Sequence, residues 1–301
     1  LFSFVVLYIL VMQILTLLFL FLFGLVFGSF VNALVWRLRK QDELSNREKA
    51  KKSVSKKTQR GLSEYSILKG RSMCTDCGHV LASKDLIPVF SWLSLKGECR
   101  YCHKHISWQY PLVEILTALL FVVSYIFWPY ALNGVWWLAF AAWLGIVVVF
   151  VALTVYDMRW QELPDKLVGG AISLSIVLSA IIFIHGIVGW NGLLQVLLSV
   201  CIIFGLFWVL FQISDGAWIG GGDVKLAIAL GLIVSLPIRA VLVIFISSFV
   251  GTLFALPRIV RDRKNLKTVI PYGPLLILAT IIVFLFGNDI TTWYESLFLL
   301  S

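Results

Sequence analysis

The chain has 301 residues, 60% of them hydrophobic and only 14% charged, against about 25% charged in an ordinary soluble domain. That composition excludes a soluble globular protein and fits an integral membrane protein. The formal net charge of +9 describes one loop, because 16 of the 25 Lys and Arg lie between Arg37 and Lys104. Beside membrane spans, such a loop marks the cytoplasmic side, so the lipid bilayer is an expected partner and nucleic acid is not.

Leu1 to Trp36 contain no charged side chain, more than the roughly 20 residues a spanning helix needs. The positive charges follow this stretch instead of preceding it, which predicts a retained first span over residues 1–36, not a signal peptide. Residues 37–110 read as a cytoplasmic loop. Its first part, Arg39 to Lys69, is polar and without sustained periodicity, which predicts a flexible or loosely helical connector. Its second part, residues 71–110, holds Cys74-Thr-Asp-Cys77 and Cys99-Arg-Tyr-Cys102, two C-x-x-C pairs separated by 21 residues. Each pair aims two thiolates at one point, so Cys74, Cys77, Cys99 and Cys102 are candidate ligands of a closed, structural, tetrahedral zinc site. His79, His103 and His105 read as surface residues, and Cys201 as a small core hydrophobe.

From Pro111 the chain is apolar again, and residues 111–301 predict seven further spans. These are about Leu112 to Trp128, Val135 to Val155, Leu167 to His185, Leu193 to Ile213, Val224 to Leu236, Arg239 to Leu256, and Ile270 to Phe286. With the cysteine loop inside, alternation makes Tyr156 to Lys166, Ser214 to Asp223 and Pro257 to Val269 cytoplasmic. The last of these carries Arg258, Arg261, Arg263, Lys264 and Lys267, as the positive-inside rule requires. The expected fold is an all-α polytopic membrane protein of about eight transmembrane helices, with a small cytoplasmic four-cysteine zinc-binding domain between the first and second.

Two acids stand at span ends on the predicted cytoplasmic face. Asp223 follows Gly220-Gly-Gly222 at the mouth of an apolar helix, and the glycines leave the backbone open to close approach by an extended peptide. Asp157 ends a span, where the helix dipole opposes a negative charge. Arg159 is its candidate salt-bridge partner in the plainer reading. Asp165, just after Pro164, suits the first turn of a helix without further purpose. Lys225 is expected to snorkel toward the interface, and Asp215 to sit in a turn. Two aspartates in one cleft can hold a water between them, one as base and one as acid, and so hydrolyse a peptide bond.

The strings around these residues resemble the type IV prepilin peptidases, membrane aspartic proteases of the Gly-x-Gly-Asp kind, over nearly the whole chain. They are Gly28-Ser29-Phe30-Val31-Asn32 with Arg37; Arg71-Ser72-x-Cys74-x-x-Cys77-x-His79; Asp85-Leu86-Ile87-Pro88; Gly97-x-Cys99-x-x-Cys102; Tyr110-Pro111-Leu112-Val113-Glu114; Asp157 with Asp165; Gly220 to Leu226; and Pro271-Tyr272-Gly273-Pro274. The resemblance implies cleavage of type IV prepilin and pseudopilin leaders after a Gly, on the cytoplasmic side of the bacterial inner membrane, with Asp157 and Asp223 as the catalytic pair. It also implies N-methylation of the new N-terminal residue with S-adenosylmethionine, whose binding residues it leaves unassigned. Two other readings compete: a general Gly-x-Gly-Asp intramembrane protease, and a proton-coupled transporter with a zinc-bound regulatory domain.

Overall fold

The computed structural model describes residues 2–51, 65–67, 70–186, 190–261 and 271–299. The described residues are mainly helical and form no strand, and the chain divides into two compact units, Leu1–Tyr125 and Ile126–Ser301.

In the first unit, helix Phe2–Lys51 has 50 residues, about 75 Å of rise. Its apolar part is bare, with Leu7, Tyr8, Leu15, Phe19 and Leu22 all exposed, as lipid-facing residues are. The helix runs on without a break through the start of the expected connector to Lys51, because Leu38, Asp42, Glu43 and Lys49 are good helix formers or tolerated there, and no Gly or Pro interrupts them. Residues 52–64 and 68–69 of that connector lie outside the described residues. The returning chain is clamped to the helix, since the Arg37 guanidinium donates to the carbonyls of Ile67 at 3.0 Å and Gly70 at 2.9 Å. Helix Gln109–Ile126 lies against the first helix. A Cβ at Gly24 would meet the Ala118 Cα at 2.5 Å and one at Gly28 the Glu114 Cα at 2.5 Å, so only glycine permits this approach.

The second unit comprises helices Trp136–Trp160, Asp165–His185, Trp190–Ile213, Gly221–Val234, Pro237–Arg261 and Gly273–Leu299. Gly221–Val234 is its centre and packs against Asp165–His185, Trp190–Ile213 and Gly273–Leu299. Gly231 lets it press on Trp190–Ile213, where the Ser199 hydroxyl donates to the Gly231 carbonyl at 3.0 Å. The outer faces carry exposed Val177, Ile184, Leu194, Phe245 and Phe249, again the pattern of a lipid-facing surface.

Among the described residues, seven helices are long and apolar enough to cross a membrane, against about eight expected. The difference is Gly221–Val234, with 14 residues, about 21 Å against a hydrocarbon core of about 30 Å. It is sheathed by its neighbours, with Leu226, Ala227, Ala229, Leu230, Ile233 and Val234 buried, so its ends need not reach both headgroup layers. A correction concerns Cys201, which is exposed on its helix and not part of a core. Arg263, Lys264 and Lys267, together with the side chains of Arg258 and Arg261, lie outside the described residues.

Candidate active site and metal centre

Asp157 occupies the last turn of helix Trp136–Trp160 and is 6% exposed. The helix stops because Gln161 turns left-handed at φ 53, its N–H returning to the Asp157 carbonyl. Leu163 and Pro164 then lead into the next helix, with Pro164 in the N-cap position. Asp223 sits in the first turn of the central helix, which starts at the Gly220 cap. A Cβ on Gly222 would come within 2.7 Å of the Leu163 Cβ. The bare backbone of Gly222 is therefore taken by this chain's own linker, which ties the Asp223 turn to the end of the Asp157 helix. The close approach expected at these glycines is thus made, at Gly222, by the chain's own Leu163.

Gly273 closes the site. Its N–H donates to the Asp157 carboxylate, and a Cβ placed on it would lie 2.8 Å from Asp157 Oδ2 and 3.4 Å from Asp223 Oδ1. The two carboxylates are thus separated by no more than the sum of those distances, and the Asp157 charge acts on Asp223. Asp223 Oδ1 is buried and has no hydrogen-bond partner among the described residues. A buried acceptor in that condition is costly unless something comes to meet it.

The Pro-Tyr-Gly-Pro turn is pinned by Tyr272, whose hydroxyl shares hydrogen bonds with Ser247 at 3.0 Å and Ser248 at 3.2 Å. Its ring lies 5.8 Å from that of Phe207. The positioning part played by Tyr272 and Gly273 is missing from the sequence reading, although a glycine between two prolines before an apolar run was visible. Arg159 does not pair with Asp157 and lies instead over the Trp160 ring at 5.6 Å. Lys225 donates to Asp165 at 2.6 Å, with their side chains 56% and 77% exposed, so it bridges two helix starts instead of snorkelling freely. Asp215 is exposed in a turn at φ 48.

In the first unit the four cysteine sulfurs all lie within 4.8 Å of one another, and Cys74 and Cys102 are 3.9 Å apart. Bonds of about 2.3 Å to a tetrahedral zinc put sulfurs about 3.8 Å apart, so the set fits that metal. Each C-x-x-C is a tight turn in a small antiparallel loop, bridged Met73 to Val80 in one and Glu98 to His105 in the other. Gly78 N–H returns to the Cys74 carbonyl and His103 N–H to that of Cys99, with φ 69 and φ 57 at these equivalent positions. Burial pushes the Cys74 thiol up, but backbone N–H groups of Cys77 and Asp76 outweigh it and hold it at about 7. At Cys102 the Lys104 N–H pulls down, while burial and the three neighbouring sulfurs prevail and push the thiol up to about 12. Four thiolates cannot coexist there without a cation.

Salt bridges fasten the two turns together: Lys104 to Asp76 at 3.0 Å, and Arg100 to Asp85 at 2.7 Å with the Tyr101 hydroxyl also on Asp85. Burial raises the Asp85 carboxyl, but its hydrogen bonds from Arg100 and Tyr101 win and hold it below the usual carboxylate range. His79, His103 and His105 are exposed and outside the sulfur cluster. The remaining strings of the first unit form a polar clasp. Glu114, buried in helix Gln109–Ile126, accepts from the Val89 N–H at 2.7 Å and from the Ser29 hydroxyl, and Asn32 donates to the Tyr110 carbonyl. Val89 itself is held at φ 60, a conformation a β-branched residue adopts only under constraint.

Residues 22–128 match the Bacterial Peptidase A24 N-terminal domain, and residues 144–256 match the Type IV leader peptidase family. A prepilin leader peptidase/N-methyltransferase of Aeromonas salmonicida is 34% identical over 284 residues, covering 92% of each chain. One of the same description from Aeromonas hydrophila is 34% identical over 93% of each, and one from Pseudomonas aeruginosa is 30% identical over 91% of each. No solved structure matches the chain. A helical multi-pass protein whose two halves match these domains in order, with relatives alike from end to end, belongs to the type IV leader peptidase family.

Proposed function

We propose that Asp157 and Asp223 are the catalytic pair of a membrane aspartic endopeptidase that removes the leader of type IV prepilins and pseudopilins after a Gly. The observation that carries this is their convergence at Gly273, from sequence positions far apart, with Asp223 Oδ1 left unbonded. Two carboxyl groups brought together in this way can act on one water, one ionised and the other protonated. The ionised one takes a proton from a water as the oxygen attacks the scissile carbonyl. The protonated one hydrogen-bonds the developing oxyanion and then passes its proton to the leaving amine, breaking the C–N bond. Gly273 N–H holds the Asp157 carboxylate in place throughout. Family membership displaces both the transporter reading and that of a general Gly-x-Gly-Asp protease.

Cys74, Cys77, Cys99 and Cys102 would hold a structural zinc, which supplies the charge that lets four thiolates share one point. The same chain methylates the new N-terminal amine with S-adenosylmethionine as methyl source; kinship with bifunctional relatives supports this, and no residue is assigned to it. Residues 1–36 are the first span, 37–110 the cytoplasmic loop and 111–301 the peptidase core. The concentration of Lys and Arg between Arg37 and Lys104 supports placing that loop and the aspartate end at the cytoplasmic face of the bacterial inner membrane. The test is mass analysis of a prepilin with a Gly-Phe junction, co-expressed with the enzyme. The expected product lacks its leader and carries one added methyl group. Cleavage at another junction, or an unprocessed precursor, contradicts the reading.

A further inference from the structure

At the end of the second unit opposite the aspartates lies a cluster the peptidase reaction does not use. Arg239, in the first turn of helix Pro237–Arg261, is a buried guanidinium at 9% exposure. One of its terminal nitrogens donates to the Asn288 side-chain carbonyl. Its Nε lies against the bare backbone of Gly287, where a Cβ would be 3.2 Å away, and is buried without a hydrogen-bond partner. Among the described residues no carboxylate pairs with it. The indole N–H of Trp128 is a second buried donor without an acceptor. The Trp128 ring lies over Phe284, with centroids 5.7 Å apart. Phe284 and Gly287 are one turn apart on the same helix face, which brings the two orphan donors to the same end of that helix. Tyr130, whose ring meets Trp128 at 5.7 Å and stacks on Trp136 at 4.3 Å, is within electrostatic reach of Arg239.

Both unsatisfied groups here are donors, and the Arg239 charge is positive and unpaired among the described residues. Orphan buried donors of this kind are rare in folded proteins and call for an acceptor. The acceptor must be anionic, since a neutral one would leave the guanidinium uncompensated. Its depth is also fixed. Trp128, Tyr130 and Trp136 form an aromatic belt of the sort that lies at headgroup level, and Arg239 is flanked by exposed Ile238 and Val241 that face lipid. Phospholipid phosphates occupy that level, and arginine binds phosphate through paired N–H groups.

We propose that Arg239 and Trp128 form a binding site for the phosphodiester of a phospholipid headgroup, in the leaflet opposite the aspartate end. The bound lipid joins the Trp128 segment, the start of helix Pro237–Arg261 and the last helix at Asn288.

The test uses the full-length enzyme in detergent, titrated with phosphatidylglycerol and, separately, with a galactosyl diacylglycerol that lacks phosphate, and read by native mass spectrometry. Phosphatidylglycerol retention should fall about tenfold in Arg239→Gln, the loss expected when a charged hydrogen-bond donor is removed. It should fall a few-fold in Trp128→Phe, which keeps the ring packing and deletes only the N–H. Galactolipid retention should be the same in all three proteins. If Arg239→Gln does not fold, Trp128→Phe decides alone. Equal phosphatidylglycerol retention in wild type and Trp128→Phe overturns the proposal. So does equal thermal protection of the wild type by inorganic phosphate, which would make the ligand a free anion.

Discussion

The cysteine cluster and the aspartate pair are built by opposite means. Each half of the cluster is a turn closed within six residues, Cys74 to His79 and Cys99 to Lys104, so local backbone geometry aims two sulfurs before any tertiary contact forms. The aspartate pair has no local element in common. It depends on Gly222 against Leu163, on Gly273 beneath both carboxylates and on Tyr272 reaching Ser247 and Ser248. Damage to one knuckle should therefore stay local, whereas small steric changes around the aspartates should propagate straight into chemistry.

The largest effect that tests this contrast is expected from Gly273→Ala. Its methyl would stand 2.8 Å from Asp157 Oδ2, so the carboxylates must part. Leader cleavage, followed as initial rate, should fall about 100-fold, as a shift of an ångström in a catalytic group does. Gly221→Ala meets only Phe211 at 3.7 Å, an ordinary contact, and should change the rate little. Equal losses at both positions would mean that glycine is needed there for general flexibility.

Next in size is metal removal. Cys99→Ser, or a strong chelator, should strip zinc measured by atomic absorption, and increase proteolysis within residues 70–108. Leader cleavage at short times should persist, because in the proposed mechanism the aspartates supply acid and base. Immediate, zinc-reversible loss of cleavage would erase the distinction between the two regions.

This difference also explains how legible the sequence was. Spacing alone disclosed the knuckles, and apolar runs disclosed eight helices, because both are properties of contiguous residues. Asp157 and Asp223 were singled out as acids at span ends. Their meeting, however, depends on long-range packing, and so did the part of Gly273 and Tyr272. The run Val224 to Leu236 reads as a helix of nearly the observed length, but hydropathy does not distinguish a helix buried in protein, as Gly221–Val234 is, from one bathed in lipid. The exposure of Cys201 is hidden in the sequence for a like reason, since an apolar run looks alike on its inner and outer faces.

Tyr272→Phe should have a smaller effect. It removes two hydroxyl contacts worth about 1 kcal/mol each while keeping the ring beside Phe207, so cleavage should drop several-fold with little change in substrate KM. A pH effect of similar modest size is expected at the knuckles. The folded Asp85 carboxyl lies below its unfolded value, so its contribution is full above the usual carboxylate range and is lost as pH falls through the folded value. Protease resistance of residues 70–108 should decline in that acid window, and Asp85→Asn should remove that part of the decline. The smallest effect belongs to Lys225→Ala, since so exposed a pair contributes at most about 1 kcal/mol; cleavage near the wild-type rate is the expected result.

The most direct test replaces Asp157 and Asp223 one at a time by Asn and follows a Gly-Phe prepilin by mass. Asn keeps the size of each side chain and the Gly273 contact, but neither accepts nor releases the catalytic proton. Each variant should fold, bind zinc and leave the leader attached. A processed pilin from either one would show that hydrolysis does not pass through this pair of carboxyl groups.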